Sequence, residues 1–66
     1  MKISKTKIEL IMATKNLKAI EVADRAGISR QNFSTIKLRG TCTTTTAAKL
    51  AYGLGVNVED ILESEV

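Results

Sequence analysis

The sequence predicts an all-α domain of five short helices, on three observations. Apolar residues recur at helical spacing over most of the chain, as at Ile8, Ile11 and Met12. Serine or threonine stands where helices would begin, at Ser4, Ser29 and Thr43. Glycine stands where helices would end, at Gly27, Gly40, Gly53 and Gly55. The 66 residues make one domain, 1–66, with a core over about 4–64. A chain of this size buries only about 60% of its unfolded surface, which leaves no room for a deep catalytic cleft.

Each element follows from local signals. Ser4 caps a first helix that fades near Asn16. "AIEVADRA", residues 19–26, forms a second, with Val22, Ala23 and Ala26 inward. Gly27 permits a left-handed backbone that other residues resist, and Ile28 turns back to the core. Ser29 caps the third helix by accepting from the amide of Gln31 or Asn32, with Phe33 and Ile36 on its buried face. Thr43 caps a fourth, with Ala47, Leu50, Ala51 and Leu54 inward and Gly53 and Gly55 loosening its end. "VNVEDILE", residues 56–63, enters a fifth at Asn57 or Val58, with Ile61 and Leu62 inward and two acids favoured by the dipole in its first turn. The threonine run at 43–46 is thereby a cap and a first turn rather than a flexible linker, because "AAKLA" after it has strong helix propensity.

Composition narrows the function. There is no histidine, and Cys42 is the only cysteine, so neither an intramolecular disulfide nor a Cys/His zinc set can form. Those same absences, with no paired carboxylates in a pocket-forming setting, argue against an enzyme. No cofactor, metal or small-molecule ligand is expected. The N-terminus lacks an apolar h-region, and no apolar run approaches the roughly 20 residues that span a membrane. A cytoplasmic setting fits. The net charge is +3, unevenly spread. Residues 1–40 hold nine of the ten Lys/Arg against three of the seven Asp/Glu, and residues 41–66 hold one against four. A basic front half suits an anionic partner such as nucleic acid, or is an ordinary solvated surface.

A short helix, a glycine turn and a second helix form a helix-turn-helix unit, whose second helix fits the DNA major groove. Arg makes bidentate bonds to guanine, and Gln or Asn to adenine. The polar face of residues 29–35 acquires a use on this basis; the bland alternative is the solvated face of a helical bundle.

"VADRAGISRQNFSTI" resembles the signature of the phage repressor and Cro-type transcription regulators, the XRE family, and "AAKLAYGLGVNVEDILE" resembles the closing segment of the same lambda-repressor-like domain. The resemblance covers about residues 4–64. It implies sequence-specific binding of double-stranded DNA by a small bacterial or phage-type, nucleoid-associated repressor or regulator. It places Ser29, Arg30, Gln31, Ser34 and Thr35 at positions facing bases, with Arg30 and Gln31 as main readers. The phosphate contacts expected are Lys18, Asn32, Lys37, Arg39, the amides around Gly40, Thr41 and Thr43. Two departures stand out. Ala19 occupies the place where the family usually has a phosphate-binding glutamine, with Lys18 beside it as a substitute charge. "IKLRG" has one residue more than the usual end of the reading helix and no acid.

One module contacts few bases, so a homodimer is expected, formed at least on DNA, with Val56, Val58, Leu62 and the acidic final turn as the contact region. The competing function is a protein-interaction module, an antitoxin or anti-repressor. Residues 29–41 hold one aromatic, Phe33, and three basic residues, Arg30, Lys37 and Arg39, a composition closer to a DNA face than to a protein interface. Three smaller features complete the reading: Tyr52 covers the core edge rather than stacking on a base, Leu10 and Met12 belong to the core edge rather than a dimer surface, and Cys42 is inert rather than a redox switch.

Overall fold

The computed structural model describes residues 1–63. Ser64, Glu65 and Val66 lie outside the described residues, and with them the expected end of the core and the last acid of the tail. Four α-helices follow in order: α1 (Lys5–Lys15), α2 (Ala19–Ala26), α3 (Arg30–Arg39) and α4 (Thr44–Leu54), then a single 3-10 turn (Val58–Asp60). The fold is all-helical, and the Cα atoms extend over 31 × 23 × 18 Å.

The caps act where the sequence puts them. Ser4 accepts from the Lys7 amide at 3.2 Å, Ser29 from the Asn32 amide at 3.0 Å and Thr43 from the Thr46 amide at 3.2 Å. Each satisfies one of the four donors that a helix start leaves without a partner. At the other ends, α1 stops at Asn16 in the left-handed region (φ 56°), and α4 stops at Gly55 (φ 72°). The Lys15 ammonium reaches the Gly55 carbonyl at 3.0 Å and joins those two ends.

One apolar core holds the helices together. Ile3, Ile8, Val22, Phe33, Leu50, Leu54 and Ile61 are its largest fully buried side chains, and no described polar residue is buried. Ile11, Met12, Leu17, Ile28, Val56, Val58 and Leu62 pack against it, half-buried.

The structure corrects several expectations. Gly53 does not loosen α4. It is buried where α4 crosses α2, and a Cβ there would stand 2.7 Å from the Val22 carbonyl oxygen and 3.1 Å from the Ala26 Cβ. The fifth helix is only the 3-10 turn. After it the chain extends into backbone pairing: Ser4 N–H donates to the Ile61 carbonyl at 2.8 Å, and Glu63 N–H to the Lys2 carbonyl at 3.1 Å. These bonds use backbone groups that a continuing helix would need. Leu10 is 65% and Tyr52 78% exposed, so neither covers the core edge; Met12 does.

The N-terminal segment has no counterpart among the sequence expectations. Residues 1–4 run extended between the loop after α3 and the chain after the 3-10 turn, with isolated antiparallel bridges from Lys2 to Thr41 and from Ile3 to Leu62. Ile3, 2% exposed, enters the core from this segment.

Candidate nucleic-acid interface

Helix α2 ends at Gly27 with φ 75°. The Ile28 amide returns to the Ala23 carbonyl at 3.0 Å and the Gly27 amide to Asp24 at 3.2 Å, the paired bonds of a Schellman turn. A Cβ at Gly27 would meet nothing within 4 Å, so the glycine serves the backbone angle and not a close approach. The turn reverses the chain and Ser29 starts α3 at once.

Helix α3 is held by two side chains, Phe33 and Ile36, both buried. Everything else on it faces outward or lies at the edge. Arg30, Gln31, Ser34 and Thr35 are all exposed. At 100° per residue, Gln31 and Thr35 lie opposite Phe33, while Arg30, Ser34 and Lys37 form one flank and Asn32 and Arg39 the other. The Thr35 hydroxyl donates to the Gln31 carbonyl at 2.9 Å. Its proton is thereby spent inside the helix, and toward a ligand it offers lone pairs and a methyl group. Ser29 is exposed; its oxygen already accepts from Asn32, and its own O–H remains to donate.

The cations on the two flanks differ. Lys37 is half-buried, with its ammonium 4.9 Å from the centre of the Phe33 ring, a cation–π contact that draws it along the helix. Arg39 is exposed and lines an open groove of about 330 Å³ with Asn32, Ile36, Thr41, Cys42, Thr43 and Thr46. Four of the residues expected to contact phosphate, Asn32, Arg39, Thr41 and Thr43, therefore share one groove. The start of α4 borders it, and a helix start presents free amides and the positive end of its dipole to an anion. Thr46, which receives the Thr43 hydroxyl at 3.0 Å, was not among the expected residues.

Gly40 and Lys18, also expected at phosphates, stand apart from the residues that line this groove. The Gly40 amide donates to the Ile36 carbonyl at 2.9 Å, and the Cys42 amide to the Met1 carbonyl at 3.0 Å. Those two amides are spent within the fold; Gly40, at φ 73°, supplies the turn. Lys18 is exposed at the entry to α2 and lies outside the groove. Its amide is held by the Glu21 carboxylate at 3.3 Å, so the chain's own acid occupies the entry to α2.

The loop that completes the groove is fixed by the N-terminal segment. Ile3 N–H donates to the Gly40 carbonyl at 2.9 Å, and the Met1 amino nitrogen donates to the Cys42 carbonyl at 2.9 Å. No spacing in the sequence signals this, because the bonds are between backbone groups some forty residues apart. Burial pushes the Cys42 thiol above its ordinary pKa, against a smaller opposing effect of the nearby amino terminus.

The model of the Cro/C1-type HTH DNA-binding domain matches residues 7–65. The chain belongs to that family. The match spans the helix-turn-helix of α2 and α3 as well as the residues of the groove beside α3, so the chain carries a DNA-binding domain of this type. No curated protein and no solved structure matches the chain. Among the described residues, no helix is long and apolar enough to cross a membrane, and no group of three or more His, Cys, Asp or Glu could hold a metal ion.

Proposed function

We propose that this Cro/C1-type domain is a sequence-specific transcriptional repressor or regulator that places α3 in the major groove of DNA. The observation that carries this reading is the face of α3. Only Phe33 and Ile36 are committed to the core, which leaves Arg30, Gln31, Ser34 and Thr35 exposed on a helix with no acidic residue. Arg30 and Gln31 read base edges, with Ser34, Thr35 and Ser29 as secondary contacts. Arg39, Asn32, Thr41 and Thr43 hold one phosphate strand through their shared groove, Lys37 adds charge on the other flank of α3, and Lys18 adds charge at the entry to α2. These phosphate contacts set register and affinity, and the bases set sequence.

The active species in this reading is a homodimer, assembled at least on DNA, working in the bacterial or phage-infected cytoplasm. Two reading helices then fall on half-sites about 34–36 Å apart. The half-burial of Val56, Val58 and Leu62 leaves part of each side chain for the contact between copies.

Selection from a random duplex pool at moderate salt tests the reading. A palindromic enriched site, with spacing of one or more helical turns, is the expected result. Enrichment of nothing, with weak salt-sensitive retention alone, would overturn it in favour of a domain that acts through a protein partner.

A further inference from the structure

We infer that Leu38 is a specificity-determining residue that recognises the C5-methyl group of a pyrimidine in the major groove. The inference rests on the proposed placement of α3 and extends it by a residue that the polar signature does not include. Leu38 is 80% exposed and is absent from the apolar residues packed on the core. A single exposed leucine is ordinary on a protein surface. This one lies on the face that Gln31 and Thr35 share, at the i, i+4, i+7 spacing of one helical stripe.

The chemistry of that stripe changes along its length. Gln31 offers an amide that both donates and accepts. Thr35 has spent its hydroxyl proton on the Gln31 carbonyl. Leu38 offers hydrocarbon alone. The major groove presents one apolar group, the methyl at C5 of thymine, and 5-methylcytosine carries the same group at the same place. Seven residues of helix span roughly 10 Å, about three base-pair steps. The methyl-bearing base should therefore lie about three pairs from the base read by Gln31. Arg39, next in the chain, lines the phosphate groove and holds the last turn of α3 close to the DNA backbone in this arrangement.

The test uses the full chain and the duplex it selects. Each thymine is replaced in turn by deoxyuridine, which removes the methyl and nothing else. The wild-type protein should lose about fourfold or more in affinity at one thymine per half-site. Leu38→Ala should bind the thymine and deoxyuridine duplexes equally at that position, and Leu38→Met should keep most of the discrimination. Placing cytosine and 5-methylcytosine there distinguishes the two sources of the methyl: preference for the methylated base in the wild type alone supports the same contact. Thermal unfolding of Leu38→Ala should match the wild type, since the side chain covers no core. Insensitivity of the wild type to deoxyuridine at every position would overturn the inference while leaving the selected site and the DNA-binding function intact. So would an equal loss by Leu38→Ala on all sequences, which would assign the leucine to a contact between protein chains. Failure to select any site is a different result and would count against the proposed function itself.

Discussion

Helices α2 and α3 are consecutive, eight and ten residues long, and joined through one glycine turn. They differ in what each commits to the core. Helix α2 buries Val22, Ala23 and Ala26 and brings its backbone so close to α4 that only glycine fits at position 53. Helix α3 buries Phe33 and Ile36 and leaves the rest of its length outside or at the edge. Their charges differ as well. Helix α2 carries Glu21 and Asp24 against Arg25, whereas α3 carries Arg30, Lys37 and Arg39 with no acid. The first is a support and the second a presenting surface. A short helix so lightly anchored needs such a neighbour, because two anchors alone give it little packing and α2, fixed to α4, supplies the rest.

Substitutions on either side of the turn should separate these roles. The largest effect belongs to Phe33→Ala, which removes the main anchor of α3 and should cost about 3–5 kcal/mol. Urea unfolding should show it, and little folded protein should remain if total stability is near the low end of the usual 5–15 kcal/mol. Gly53→Ala acts on the support. Alanine gains up to about 1 kcal/mol in helix propensity. The contact with the Val22 carbonyl should outweigh this, for a net loss of about 1–3 kcal/mol, with the selected DNA sequence unchanged below the melting temperature. A Gly53→Ala protein more stable than the wild type would refute the close approach of α2 and α4.

Arg30→Ala should do the reverse. Its melting temperature should match the wild type, while specific binding falls by about 1–3 kcal/mol and selectivity relaxes at one base position. An unchanged selected sequence would remove Arg30 from the reading face. Arg39→Ala should be gentler and less specific, weakening all sequences alike and lowering the salt slope by about 1.

The smallest effect concerns Cys42. Its folded pKa is raised, so the folded chain holds the thiol proton more tightly than the unfolded chain does. The associated stability is complete below the unfolded pKa, about 8.5, and is lost as pH rises through the folded value. Alkylation at pH 7–8 should be slower than for an unfolded control, and a slight loss of stability should appear only in alkaline solution. Fast alkylation at pH 7 would mean that the thiol is not shielded.

Much of this organisation follows from local sequence. Ser4, Ser29 and Thr43 cap because their hydroxyls reach amides two or three residues on, and that geometry needs no distant partner. Gly27, Gly40 and Gly55 end helices because glycine accepts the left-handed angle at little cost. Phe33 and Ile36 mark the inner face of α3 by spacing, and Arg30, Gln31, Ser34 and Thr35 are left outside by the same rule. Exposure of Leu10 and Tyr52 was not legible, since helical spacing ranks a borderline apolar residue no better than its neighbours can cover it.

Tertiary structure decided the remainder. Gly53 reads as a weak point of a helix until α2 is seen against it. The last segment, helical by pattern, stops after one 3-10 turn because its backbone pairs with residues 2–4. The same N-terminal segment holds the loop that gathers Asn32, Arg39, Thr41 and Thr43 around one groove. Helix starts, ends and faces are set by side chains within a few residues, and a single sequence records them. Backbone pairing across forty residues leaves no mark on side-chain pattern, because every residue carries the same donor and acceptor.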